Sequence, residues 1–141
     1  MKQYALNFDL SRNLYEEHKE DIKSKNCYHN IFNVLIFYPE NFRRGEWKIA
    51  YGYVKSVENI YCRHCFIFNG EEVIDPTVFT TNRDNKNRTY YITKVFDSAG
   101  DYLEALEAEG DYPALQKHLR KEDKKAQEWA RENGCIFIGL E

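Results

Sequence analysis

The stretch from Tyr61 to Val78, YCRHCFIFNGEEVIDPTV, constrains the fold more than any other part of the chain. Two runs of apolar, β-branched and aromatic residues flank Asn69-Gly70, a dipeptide that strongly predicts a β-hairpin. With a two-residue turn, His64 pairs with Asp75; with a four-residue loop, His64 pairs with Thr77 and Asp75 lies one diagonal step away. In both registers His64 and Asp75 share a face of the ribbon, whereas a three-residue loop would separate them.

A histidine beside an aspartate indicates half of a nucleophilic site, because the carboxylate holds the imidazole in one tautomer. Cys27 is the candidate for the nucleophile. Asn26 is a plausible N-cap, which places Cys27 in the first turn of a helix that ends at Pro39. There the helix dipole and unpaired N–H groups stabilise a thiolate and can hold an oxyanion. The alternatives are a buried cysteine that only packs, and a surface His–Asp pair.

The segment that follows Cys27, IFNVLIFY, is apolar on most sides of a helix, which indicates a buried central helix. Its β-branched content leaves a strand as the rival interpretation. The remaining periodicities predict a helix from Asp9 or Ser11 to about Lys23, a loop from Glu40 to Gly45, and strands over Trp47–Val57 and Thr89–Phe96. They also predict a helix from Asp97 or Ser98 to near Gly110, with Tyr102, Leu103 and Leu106 inward, and a helix from Pro113 to Asn133, with Leu115, Leu119, Ala126, Trp129 and Ala130 inward. We expect Cys135–Leu140 to form a short apolar strand or a packed tail.

This order of elements predicts an α+β fold in which the central helix packs on an antiparallel sheet with flanking helices. The length of 141 residues suits one domain, residues 1–141. Aromatic residues make up 16% of the chain, and its 11 Tyr and 9 Phe favour strands and supply a core.

The net charge and the hydropathy of the chain limit the classes of partner that we expect. The formal net charge is −3, and the basic residues of Lys117–Arg131 alternate with acids, which is typical of a solvated helix face rather than of a nucleic-acid site. The N-terminus has no apolar run of signal-peptide length, and no segment approaches a membrane span. We therefore expect a cytoplasmic protein with reduced thiols, no nucleic-acid partner and no membrane partner.

Cys62 and Cys65 form a CxxC pair, but on a strand they point to opposite faces. A structural zinc site needs two more ligands at suitable spacing, and the other cysteines and histidines are scattered. A thioredoxin-type motif would open a helix, whereas this pair lies within a strand. We expect no metal and no cofactor.

The chain order Cys, His, Asp resembles that of the papain-like and transglutaminase-like cysteine peptidase superfamily, which includes the NlpC/P60 amidases. The segments that carry the resemblance are Asn26-Cys27-Tyr28-His29-Asn30 at the helix start, His64-Cys65-Phe66-Ile67 on one strand and Val73-Ile74-Asp75-Pro76-Thr77 on the next. The resemblance spans roughly residues 26–79. It implies a small papain-like domain with Cys27 as nucleophile, His64 as base and Asp75 as orienting group.

The resemblance also implies the reaction, which is acyl transfer on an amide bond of a peptide or protein by a peptidase, amidase, deamidase or transglutaminase-like enzyme. The Gly-Ser-Cys-Trp signature of papain is absent, and no glutamine marks the oxyanion site. Asn26, Tyr28 or a residue between Trp47 and Tyr53 are the candidate oxyanion donors. The alternative from another class is a catalytically inactive protein of the same fold that serves as a binding or inhibitor module, of a phage- or effector-like kind.

Overall fold

The fold is built on β3, the strand that carries His64, and on the helix that begins at Cys27. A computed structural model describes residues 1–139. Within that range the structure is a mixed α+β fold whose elements are β1 (Gln3–Ala5), α1 (Phe8–Glu17), α2 (Cys27–Phe37), α3 (Pro39–Arg43), β2 (Lys48–Val57), β3 (Ile60–Phe68), β4 (Val73–Ile74), a 3₁₀ helix (Pro76–Thr80), β5 (Thr89–Val95), α4 (Ala99–Ala108), α5 (Arg120–Glu132) and β6 (Ile136–Ile138).

The six strands form one sheet in the order β1-β5-β2-β3-β4, and β6 also pairs with β3. The prediction of an antiparallel sheet is wrong for one pair, because β6 runs parallel to β3. β2 pairs with one edge of β3 along its whole length. On the other edge, β6 pairs at residues 60–62 and β4 at residues 67–68, which leaves residues 63–66 between them. α2 packs against β3, and His64 lies within this interval.

The turn after β3 adopts the four-residue alternative, since Phe68 pairs with Val73. The Asn69 side-chain oxygen accepts hydrogen bonds from the backbone N–H groups of Glu71 and Glu72, at 2.9 and 2.7 Å, which closes the loop locally. β4 then ends at Ile74. Thr77 therefore does not pair with His64, because Pro76 starts a 3₁₀ helix.

α2 confirms the helical interpretation of the segment after Cys27. Ile31 and Val34 are fully buried, and Pro39 ends the helix by starting the short helix α3, where the sequence indicated a loop. The expectation of burial on most sides is wrong at the C-terminal end of α2, where Ile36 and Phe37 are exposed. The buried face of α2 thus runs from Cys27 to Leu35.

Several helix boundaries differ from the predicted ones. Asn7 caps α1 through a hydrogen bond from the Leu10 N–H, in place of Asp9 or Ser11, and α1 ends at Glu17, well before Lys23. The chain turns at 18–21 after α1. No helix in residues 1–139 is long and apolar enough to cross a membrane.

For the last two helices, one predicted boundary is confirmed and one is wrong. Ser98 caps α4 as predicted, but Leu103 is exposed rather than inward. α5 begins at Arg120 instead of Pro113, because Leu115 adopts a positive φ of 50° that no helix can contain. Leu119, like Leu115, is still buried as the sequence predicted. The final residue of the predicted strand Cys135–Leu140 lies outside the described residues.

The two faces of the sheet bury separate apolar clusters. Cys27, Ile31, Val34, Tyr51 and Cys65 belong to the cluster on the α2 face. Ala50, Val54, Phe66, Val73 and Tyr90 belong to the cluster on the opposite face. Because neighbouring strand residues alternate, His64 and Cys65 project to different faces of β3.

Candidate functional site

His64 and Asp75 meet at the end of β4. The His64 Nε2 atom lies 2.9 Å from the Asp75 Oδ2 atom, and both side chains are almost completely removed from solvent. Although the distance is short, the ring nitrogen is not aligned for a regular hydrogen bond, so the contact is mainly electrostatic. The predicted proximity of these two residues is therefore present in the structure, with Asp75 following the strand rather than lying within it.

Asp75 is held by residues that the sequence did not single out. The Tyr90 hydroxyl donates a hydrogen bond of 2.7 Å to Asp75 Oδ2, and the Asp75 backbone N–H donates one of 2.9 Å to the Ser11 side chain. Burial, followed by the charge of Asp75, raises the pKa of Tyr90 well above 10 and keeps this phenol a donor. Asp75 Oδ1 has no hydrogen-bond partner among the described residues. The Oδ2 atom of the Asp75 carboxylate therefore contacts both His64 and Tyr90.

The protonation of His64 is set by two opposing effects. Burial lowers its pKa, but the charge of Asp75, and after it that of Cys27, outweigh burial and leave the pKa of His64 well above 6.5. Asp75 contacts Nε2, so Nδ1 is the ring nitrogen that remains for another partner. The charge of Cys27 acts on the same ring, and Cys27 and His64 line one cavity.

Cys27 is the first residue of α2 and is 3% exposed. Asn26 occupies the N-cap position but its side chain makes no capping bond, which corrects the predicted cap. Its amide oxygen instead contacts the His29 Nδ1 atom at 3.0 Å. The first N–H groups of α2 are therefore not used by the cap residue, and they lie at the positive end of the helix dipole next to the thiol.

The other predicted oxyanion candidates are largely engaged. The Tyr28 hydroxyl accepts a hydrogen bond of 3.0 Å from Arg63, and burial raises the pKa of Tyr28. Within the Trp47–Tyr53 segment, the Tyr51 hydroxyl donates to the Pro113 carbonyl. The Tyr53 hydroxyl donates to Asp123 on α5. The tyrosines of this strand thus bind α5 and the chain before it.

Arg63 is a residue that the sequence analysis missed, although a basic residue inside the apolar run of β3 was the available signal. Its side chain is buried, and Nε donates to Asp123 Oδ2 at 2.9 Å. The guanidinium also donates to the Ala114 carbonyl at 2.7 Å and lies over the Tyr28 ring. Arg63 therefore fixes the side chain of the residue that follows Cys27 and connects β3 to α5.

Asn30 is the second residue that the sequence analysis missed. It is fully buried, and its side chain accepts a hydrogen bond from the Lys23 N–H and donates to the Lys23 carbonyl. The same amide donates to the Thr77 hydroxyl at 3.0 Å. Asn30 thereby joins the chain before Cys27 to the 3₁₀ helix after Asp75, which holds the two ends of the constellation together.

The cysteines of the CxxC pair lie apart from each other. Cys62 is half-buried in the same cavity as His64, while Cys65 is buried in the cluster on the α2 face, and burial raises the pKa of its thiol. All four cysteines are free thiols within residues 1–139. In that range no three His, Cys, Asp or Glu side chains are grouped as metal ligands.

Two cavities adjoin Cys27. The His64-side cavity, of about 280 Å³, is lined by Cys27, His64, Cys62, Thr77 and further residues of the 3₁₀ helix and the loop after it. The Tyr28-side cavity, of about 410 Å³, is lined by Cys27, Asn26 and Tyr28 together with the chain from Asp111 to Ala114. Cys27 is therefore a lining residue that both cavities share.

Comparisons with family models, with curated proteins and with solved structures give no match to this chain. The relationship to papain-like proteins therefore rests on the sequence motifs alone and stays a prediction.

Proposed function

We propose that this protein is an acyl-transfer enzyme that acts on amide bonds through a cysteine nucleophile. The observation that carries the proposal is the position of His64, with Asp75 Oδ2 at 2.9 Å from one ring nitrogen and Cys27 lining the same cavity as the ring. A buried imidazole between a thiol and a buried carboxylate has the elements of an activated nucleophile. A cysteine that only packs in a core needs neither partner.

The roles follow from which nitrogen faces which group. Because the Asp75 carboxylate lies 2.9 Å from Nε2, its charge favours a proton on that nitrogen, and we assign Nδ1 as the acceptor of the Cys27 thiol proton. The thiolate attacks the carbonyl carbon, a carbon–sulfur bond forms, and the carbon–nitrogen bond breaks as His64 returns its proton to the departing amine. Water or an amine then attacks the thioester carbon while His64 takes a proton from it. The new carbon–oxygen or carbon–nitrogen bond forms, the carbon–sulfur bond breaks, and the Cys27 thiolate is restored.

The oxyanion of the tetrahedral intermediate needs donors near the thiol. The N–H groups of the first turn of α2 supply them, because the Asn26 side chain does not cap that turn.

The proposed substrate is a peptide or protein amide that lies across Cys27 and occupies the two cavities. The acceptor decides among hydrolysis, deamidation and transamidation. A mixture of glutamine-containing peptides with a primary amine, analysed by mass spectrometry, reports all three products in one experiment. We expect at least one product with the wild type and none with Cys27→Ala.

Cys135→Ser is the matched control, because this half-buried thiol lies outside both cavities. It should retain the product. Equal product from wild type and Cys27→Ala would reject the proposal. If no product forms and Cys27 also fails to react with thiol reagents, the binding-module alternative accounts for the protein better.

A further inference from the structure

The His64-side cavity carries a ring of positive charge. Lys25, Arg83 and Arg88 line it together with Cys27 and His64, and no aspartate or glutamate is among its lining residues. The chain as a whole has 23 acidic and 20 basic residues, so this local excess of cations does not follow from composition. The excess arises from the residues that the fold brings to this cavity.

These three cations have no carboxylate partners. Within residues 1–139, none of Lys25, Arg83 and Arg88 forms an ion pair, whereas Arg43 and Arg63 do. Unpaired cations grouped around one cavity repel one another, and an anion between them relieves that repulsion. The cavity is therefore electrostatically suited to a negatively charged ligand.

The two arginines are oriented before any ligand binds. The buried Asn85 donates to the Val78 carbonyl and accepts from Arg88 Nε at 3.0 Å. Arg88 also donates to the Lys55 carbonyl at 2.6 Å.

Arg83 donates to the Ser56 hydroxyl at 2.9 Å. A guanidinium carries five N–H donors. Each arginine therefore keeps further donors that none of the hydrogen bonds described for residues 1–139 uses.

The rest of the lining indicates the shape of the ligand. Val54, Val78 and Cys62 give the cavity apolar surface, and Ser24, Ser56, Thr77, Thr80 and Thr81 add hydroxyl-bearing side chains beside the cations. A ligand that fits both parts has a short apolar stem that ends in an anionic group.

We propose that the His64-side cavity binds a carboxylate or phosphate group of the substrate, next to the amide that Cys27 attacks. The inference rests on the proposed function for the identity of the reacting bond, but the anion site itself is independent of catalysis. Acidic or phosphorylated substrates would thus be selected over neutral ones by Lys25, Arg83 and Arg88.

The first test compares alkylation of Cys27 by iodoacetate, which is anionic, and by iodoacetamide, which is neutral. Peptide-resolved mass spectrometry assigns the label to Cys27. Arg83→Gln should lower the ratio of the iodoacetate rate to the iodoacetamide rate by roughly two- to fivefold, as expected for one exposed charge pair. A change in the thiolate population of Cys27 affects both rates and cancels in the ratio. Adding Lys25→Gln should lower the ratio further. Lys121→Gln, an exposed cation on α5 outside the cavity, is the matched control and should not change it.

Arg88→Gln also removes the bonds to Asn85 and Lys55, so Arg88→Lys is used beside it to keep the charge. A ratio that stays at the wild-type value in Arg83→Gln with Lys25→Gln would overturn the anion site.

The second test does not depend on thiol chemistry. Inorganic phosphate and acetate are titrated separately into Cys27→Ala, and the backbone amide signals of residues 77–88 are followed by NMR. Saturable shifts with phosphate, with acetate or with both identify the preferred anion, and Arg83→Gln should weaken them. If Cys27 is unreactive but these shifts occur, the proposed function fails and the anion site stands. Absence of saturable shifts with either anion rejects the site whatever the reactivity of Cys27.

Discussion

Asp75→Asn should change how the stability of this protein depends on pH. In the wild type, Asp75 is the strongest of the groups that raise the pKa of His64 above 6.5. The asparagine side chain has nearly the same shape, and its oxygen can still accept from Tyr90. The substitution therefore removes the charge that favours the imidazolium and leaves the burial that opposes it.

The sign of the effect follows from the raised pKa of His64. A group whose pKa is higher in the folded state contributes stability that is complete below its unfolded value, about 6.5 for histidine, and is lost as pH rises through the folded pKa. The loss for one proton is at most about 1.4 kcal/mol per pH unit. The difference in unfolding free energy between the wild type and Asp75→Asn should therefore decrease above about pH 6.5, by at most about 1.4 kcal/mol per pH unit.

Urea unfolding from about pH 6 to about pH 9 measures this difference, since other titrating groups cancel between the two proteins. Tyr90→Phe is the matched control, because it removes a hydrogen bond to the same carboxylate oxygen and keeps the charge. It should follow the wild-type slope. Parallel curves for wild type and Asp75→Asn would refute the coupling between Asp75 and His64.

Two further substitutions test the framework around the site by urea unfolding. Gly52 lies opposite His64 in β3, and a Cβ atom there would lie 1.9 Å from the Tyr91 carbonyl oxygen, so Gly52→Ala should destabilise the fold by about 3 kcal/mol or more. Gly100→Ala, in the first turn of α4, would place its Cβ atom in ordinary van der Waals contact with Ser98 Oγ at 3.6 Å and should be neutral or stabilising; equal losses for both glycines would contradict the close strand approach. Asn30→Ala should cost about 2 kcal/mol or more, because it leaves buried groups unpaired, and should slow Cys27 alkylation; an unchanged rate would mean that the link to Thr77 does not position the site.

Much of the local structure could be predicted because its causes are local. The strands β2 and β5, the Ser98 cap of α4 and the helix that begins at Cys27 all follow from short-range propensities. The proximity of His64 and Asp75 could be predicted for a similar reason, because the turn at Asn69 permits only a few strand registers. The four-residue loop was one of the alternatives that the sequence left open.

The remainder depends on contacts between distant segments. Nothing near Ile136 in the sequence indicates that it pairs in parallel with Ile60. The positive φ of Leu115 replaces a predicted helical turn because the leucine is buried in the core there. In the sequence, Arg63 lies between the two cysteines of the CxxC pair, and nothing there indicates that its side chain binds Asp123, 60 residues away. Such tertiary partners override local preference.

The rate of Cys27 alkylation by iodoacetamide against pH, in wild type and in His64→Ala, tests the central claim most directly. Peptide-resolved mass spectrometry separates Cys27 from the other three thiols without replacing the buried Cys65. If Cys27 and His64 form an activated pair, the wild type reacts rapidly near neutral pH and His64→Ala loses that reactivity. Superimposable profiles, both rising near the free-thiol value of about 8.5, would contradict the account.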